Sequence, residues 1–169
     1  MGFLKRLSRL VKSRGAENVV YFDESGFEKH SYRKHGWIRK GQKIYANVPG
    51  KREKRINLLM AQRDGRWLAP ETFEGSCDAL RVNAWLEKQL LPRLAKPSII
   101  VFDNASFHKK KEIAVLCRKK GHVPLPLPPY SPDFNPIENS LGSVKRKREF
   151  APPETPIIDL IKSSECYLE

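Results

Sequence analysis

The chain has 169 residues, 40% hydrophobic and 30% charged, enough apolar material to bury a core without disulfide or metal staples and too evenly spread for a disordered chain. Lys and Arg number 32 against 19 Asp and Glu, and the net charge of +13 comes in blocks (Lys29 to Arg55, Lys109 to Lys120, Lys145 to Arg148). That pattern points to a phosphate-neutralising surface, with a merely solvated basic surface as the lesser reading. Cys77, Cys117 and Cys166 form no CxxC pair, no apolar run nears the ~18 residues of a membrane span, and the N-terminus lacks a signal-peptide core. Neither a zinc site nor a disulfide framework is indicated, and a cytoplasmic protein is expected.

Phe3, Leu4, Leu7, Leu10 and Val11 recur at helical spacing with Lys5, Arg6 and Arg9 between them, which predicts a short basic amphipathic helix ended by Gly15. Val19 to Phe22 is β-branched and aromatic, a buried strand ending at Asp23-Glu24. Between Trp37 and Phe73, stretches of strand character (Ile44 to Val48, Ile56 to Ala61, Trp67 to Phe73) are separated by Pro49-Gly50 and by Asp64-Gly65, a strong hairpin signal. They continue the first strand as an antiparallel meander. Trp37 reads as core or hairpin packing.

Asp78 reads as the N-cap of a helix whose Ala79, Val82, Leu86, Leu90 and Leu94 stripe packs on the sheet, with Pro92 shortening its last turn. Ser98 to Phe102 is a central strand ending in Asp103. Lys110 to Lys120 predicts a helix stopped by Gly121, and Val123 to Leu127 a short strand for which Pro124 and Pro126 favour an edge position or an extended segment. Asn135, as N-cap, and Pro136, as first helical residue, announce a helix through Glu138. Prolines after Phe150 leave a final short helix or a frayed tail. The expected organisation is a basic N-terminal helix over 1–15, an α/β catalytic domain over 16–150 and a C-terminal helix or tail over 151–169.

Such an order brings strand ends together. Carboxylates clustered there are tolerated when a divalent cation compensates them, and hard oxygen ligands select magnesium or manganese over zinc. Two such ions about 3.5–4 Å apart can activate an attacking oxygen and stabilise the leaving oxygen of a phosphodiester. The candidates are Asp23, Asp103 and Glu138, with 34 residues between the last two. Each also has an ordinary reading: Asp23 as a turn residue, Asp103-Asn104 as an Asx turn, Glu138 as the partner in a capping box. Their joint order carries the inference.

The segments Phe22-Asp23-Glu24-Ser25-Gly26-Phe27, Val101-Phe102-Asp103-Asn104-Ala105 with His108-Lys109, and Leu127-Pro128-Pro129-Tyr130-Ser131-Pro132-Asp133-Phe134-Asn135-Pro136-Ile137-Glu138-Asn139 resemble the signatures of bacterial insertion-sequence DDE transposases of the mariner superfamily, over roughly Val19 to Arg148. The resemblance implies an RNase H-like fold: a mixed five-stranded sheet, an antiparallel three-stranded meander plus two parallel strands, flanked by helices. It implies that Asp23, Asp103 and Glu138 ligate two Mg2+ ions, for which Mn2+ can substitute. Water would first attack at the transposon end, and the freed 3′-hydroxyl would then attack target DNA, typically at TA. The implied partners are terminal inverted repeats, target DNA and a second copy in a synaptic homodimer; the residues before Gly15 are too few to form the family's helix-turn-helix region, so either a separate helix-turn-helix chain supplies it or the gene is truncated. The expected location is the bacterial cytoplasm, on the nucleoid when DNA-bound.

Asn104, His108, Lys109 and Asn139 are candidate auxiliary residues. Arg39, Lys40, Lys43, Lys51, Arg52, Lys54, Arg55, Lys145, Arg146, Lys147 and Arg148 are candidate DNA contacts. Tyr130 reads as packing in the loop before Glu138 more than as a base-stacking platform. Two residues depart from the family pattern: Leu141 stands where Trp is common, and Gly142 occupies the helix interior at roughly 1 kcal/mol relative to Ala, so that helix is expected to be weakened. Two other readings are an inactive remnant that only binds DNA and a cellular RNase H-like nuclease, the latter opposed by the Ser131 to Asn139 signature.

Overall fold

The computed structural model describes residues 2–28, 37–43, 45, 55–105, 108–152 and 154–168. Asp64 and Gly65 take φ of 49° and 72°, the paired positive values of a two-residue hairpin turn, and between them they join strands β2 (Arg55–Arg63) and β3 (Arg66–Glu74). The meander starts from β1, which spans Val19–Glu28 and does not stop at Asp23-Glu24. Its antiparallel ladder with β2 runs from Val20↔Arg63 to Glu28↔Arg55, carrying the strand past the point where its other neighbour ends.

That neighbour is β4 (Ile99–Phe102), parallel to β1 and in turn parallel to β5 (Val123–Pro126). The sheet order β3-β2-β1-β4-β5 is the expected mixed five-stranded arrangement, with proline-bearing β5 at an edge as its missing N–H groups require. The β1–β4 register pairs Val19 with Ile99 and ends at Tyr21↔Val101. Asp23 and Asp103 each follow two residues after that last pair.

Strand alternation divides the core into two faces. Val20, Phe22, Ile100 and Phe102 pack with α2 (Ala79–Trp85) and α3 (Lys110–Lys119). Asp78 caps α2, its carboxylate accepting from Arg81 N at 2.9 Å. The helix then loosens into a π turn at Leu86–Leu90 and a tight turn at Leu91–Arg93 that contains Pro92. On the opposite face, Phe27, Leu58, Met60 and Trp67 meet α4 (Ile137–Phe150) and α5 (Ile157–Lys162), while Ile99, Val101 and Leu125 are covered by α1 (Phe3–Arg14). Gly15, at φ 88°, ends α1.

Several expectations are corrected. Trp37 is exposed, at 105%. The Ile44 to Val48 stretch lies outside the described residues apart from Tyr45, which belongs to no strand. α4 runs unbroken through Gly142, and its Ile137, Leu141 and Val144 are buried in one cluster with Phe27, Leu58, Met60 and Trp67. Of the two expectations for the end of the chain, the short helix forms as α5, and the residues after it are docked: Trp67 N donates to Cys166 O at 2.6 Å, and Leu168 N donates to Trp67 O at 2.9 Å. Among the described residues, no helix is long and apolar enough to cross a membrane.

Candidate active site

Asp23 is buried within β1, and each of its oxygens accepts one hydrogen bond: Oδ1 from Glu24 N at 2.8 Å, Oδ2 from Asn135 Nδ2 at 2.9 Å. Asp103 follows β4, where the short apolar strand ends and Ala105 N donates to Asp103 Oδ1 at 3.1 Å, so the Asx-turn geometry is made as well. Glu138 stands exposed in the first turn of α4. It joins no capping box: that helix has no side-chain cap, and Glu138 N instead donates to the backbone oxygen of Asn135 at 3.1 Å.

A cleft of about 520 Å³ is lined by Asp103, Asn104, Lys110, Tyr130, Asn135 and Glu138, among others. Glu138 also borders a second cleft, of about 610 Å³, with Glu24, Arg55, Cys77 and Lys145. The late acid therefore sits on the ridge between two hollows, one leading to Asp103 and the other flanked by two cations.

The electrostatics differ sharply between the two aspartates. Burial, then the charges of Glu24 and Asp103 and, more weakly, Glu138, push the Asp23 carboxyl up to about 7 against the backbone bond from Glu24. Burial would raise Asp103 too, but the hydrogen bond and charge of His108, helped by Ala105 N and Lys110, outweigh it and hold Asp103 below the usual carboxylate range. Burial alone would depress His108. Its bonds to Asp103 and Glu24 win and push it up to about 9, so its ring carries a proton at neutral pH.

Among the described residues, no three His, Cys, Asp or Glu side chains gather closely enough to hold an ion. The chemistry of the donors nevertheless fits a hard divalent cation. The three acids offer only oxygen, Asp23 resists ionisation until a positive charge compensates it, and Oδ1 of Asn135 is buried with no hydrogen-bond partner among the described residues.

The auxiliary candidates separate. His108 is central. Asn104 serves the sheet, its amide donating to the Leu127 carbonyl. Lys109 pairs with Glu112 at 3.2 Å, and it is the next residue, Lys110, that faces Asp103 in the cleft. Asn139 is exposed on α4. Of the basic candidates, Arg39, Lys40 and Lys43 are exposed, and Lys51, Arg52 and Lys54 lie outside the described residues.

In the Lys145 to Arg148 run only Lys145 borders the cleft beside Glu138. Arg146 lines a hollow near Phe150, and Lys147 donates to Ser164 Oγ at 3.0 Å. Arg148 is buried, and its guanidinium donates to the Pro152 and Thr155 carbonyls, which makes it a clip for the chain after α4 instead of a phosphate contact. Tyr130, expected to pack, is 103% exposed with φ 53°.

Two residues of the site were not anticipated in their roles. Glu24 approaches His108 at 3.4 Å, and its only signal in the sequence is adjacency to Asp23. Asn135 reads locally as a helix cap, and nothing in the sequence indicates that its amide reaches a strand 112 residues earlier.

A family model described as DDE superfamily endonuclease matches residues 18–153. Among solved structures, the Mos1 mariner paired end complex with Mn is similar at a TM-score of 0.73 and 17% identity, covering 97% of this chain and 54% of that one. The Mos1 transposase paired-end complex with left transposon end gives 0.68 at 19% identity, covering 86% and 46%. The catalytic domain of Mos1 mariner transposase gives 0.63 at 15% identity, covering 96% and 79%. The chain thus spans about half the length of the transposases in the two DNA-end complexes. At these identities the likeness is one of fold. No curated protein matches the chain.

Proposed function

This chain belongs to the DDE superfamily endonucleases, and from that membership we propose that it is the catalytic domain of a DNA transposase, hydrolysing a phosphodiester at transposon ends and transferring the freed strand into target DNA. The observation that carries this reading is the parallel β1–β4 register, which ends at Tyr21↔Val101 two residues short of Asp23 and Asp103, with α4 and its Glu138 tied back to Asp23 through Asn135.

Asp23, Asp103 and Glu138 would together hold two Mg2+ ions, Mn2+ substituting, which supply Lewis-acid activation of the attacking and leaving oxygens. The protein's own groups set the conditions for that chemistry. Asn135 and Glu24 N orient the Asp23 carboxylate, protonated His108 keeps Asp103 ionised, and Lys110, Arg55 and Lys145 place positive charge on both sides of Glu138 where phosphates approach. Tyr130 offers a bare aromatic face at the rim of the Asp103 cleft, suited to an unstacked base.

The proposed partners are DNA ends, target DNA and a second copy of the chain. The structural neighbours solved as paired-end complexes with transposon DNA support this reading. The proposed setting is the cytoplasm, with the protein on the nucleoid when bound to DNA. The experiment is a nicking assay on plasmid DNA carrying the inverted repeats that flank the gene. Cleavage stimulated by Mg2+ or Mn2+ and lost in Asp103→Ala is expected, whereas salt-sensitive DNA binding without cleavage would leave only a DNA-binding remnant.

A further inference from the structure

Asn135 occupies the junction between the tight turn Pro132–Phe134 and α4, and it is 3% exposed. Its sequence context favours a helix cap, yet the cap is not made and the side chain turns to β1, where Nδ2 donates to Asp23 Oδ2 at 2.9 Å. Its backbone oxygen meanwhile accepts from Glu138 N at 3.1 Å. One residue therefore touches Asp23 with its side chain and the turn bearing Glu138 with its main chain, and it lines the cleft that also holds Asp103.

Two further details point the same way. Each Asp23 oxygen already accepts one hydrogen bond, which leaves a lone pair on each for another partner. Asn135 Oδ1 is buried and, among the described residues, accepts from nothing, a condition that folded proteins rarely tolerate away from functional sites.

We propose that Asn135 is a positioning residue for divalent-cation binding, a role that rests on the catalytic reading above. Its Nδ2–H fixes the Asp23 carboxylate, its backbone carbonyl fixes the first turn of α4, and its unpartnered Oδ1 is the acceptor for a water of the hydrated cation. Groups that orient metal ligands in this way typically change affinity by about 10- to 100-fold when removed.

The test is Mn2+ titration of the whole chain, without DNA, followed by the electron paramagnetic resonance signal of free Mn2+. Asn135→Ala is expected to bind Mn2+ about 10- to 100-fold more weakly, with its circular dichroism spectrum unchanged. In an Asp23→Asn background the same substitution is expected to change affinity by less than about twofold, because the group it orients is already gone. If Asn135→Ala does not fold, Asn135→Ser, which keeps a short donor, serves instead and is expected to fall between wild type and the full loss. Wild-type affinity in the folded variant, or an equal loss in the Asp23→Asn background, would overturn the proposal alone. Absence of Mn2+ binding by the wild-type chain would overturn the catalytic reading with it.

Discussion

Nδ1 of His108 lies 2.8 Å from Oδ1 of Asp103. The other ring nitrogen approaches Glu24 Oε2 at 3.4 Å, and the ring is buried against Phe22 and Phe102. A protonated imidazole thus bridges the first and fourth strands just behind the acids and neutralises part of their mutual repulsion.

This bridge predicts how stability depends on pH. His108 is raised in the folded chain to about 9 from 6.5, so its contribution is complete below pH 6.5 and is lost as pH rises through about 9. Asp23 is also raised, to about 7 from 3.8, so its contribution is complete below pH 3.8 and is lost as pH rises through about 7. Thermal melts in chelator are expected to show Tm falling between about pH 4 and 9, and His108→Gln should flatten the upper part of that fall. Asp103 is depressed, so its contribution runs the other way, present above 3.8 and lost in acid.

Asp23 is a functional liability to the metal-free fold. Ionised at pH 8, it is desolvated and faces other carboxylates. Asp23→Asn should therefore stabilise the metal-free protein by roughly 1–3 kcal/mol, and a flipped Asn135 could present its unused Oδ1 to the new amide. Mg2+ should raise the Tm of the wild type at pH 8 but leave this variant unmoved, as differential scanning fluorimetry would record.

The basic run on α4 should divide by role. Lys145→Ala is expected to weaken DNA binding and lower the salt-dependence slope by about 1, with Tm little changed. Arg148→Ala should instead destabilise the fold by roughly 1.5–3 kcal/mol, because a buried guanidinium and two carbonyls lose each other, while the slope stays the same. Binding isotherms at several salt concentrations, paired with melts, separate the two outcomes.

Tyr130 is held at φ 53° beside Pro129, with its ring fully in solvent. Tyr130→Ala should leave stability within about 0.5 kcal/mol yet weaken single-stranded DNA binding by roughly 1–3 kcal/mol. Tyr130→Phe should retain the affinity. Fluorescence anisotropy with a labelled oligonucleotide checks both.

Much of this organisation is legible from local pattern. Val19 to Phe22 and Ser98 to Phe102 announce strands by composition, Asp64-Gly65 announces its hairpin, and two prolines place Val123 to Pro126 at an edge. Asp23 and Asp103 are found because each follows a run of apolar strand residues. What local pattern does not convey is partnership across the sheet. Asn135 obeys the rule for a helix cap and spends its amide on Asp23, Arg148 reads as one more surface cation and is buried, and Trp37 looks like core and is exposed. In each case a tertiary contact, or its lack, overrides a residue's usual preference.

In the proposed function, Asp23, Asp103 and Glu138 act as one divalent-cation site for phosphodiester cleavage. The most direct measurement is the rate of strand cleavage of inverted-repeat DNA in Mg2+ by the wild-type chain and by Asp23→Asn, Asp103→Asn and Glu138→Gln. Loss of a metal-binding carboxylate removes several kcal/mol of transition-state stabilisation, so each variant is predicted to fall by about a thousandfold while still binding DNA. Cleavage by the wild type in chelator, or near-wild-type cleavage by any of the three variants, would contradict the account.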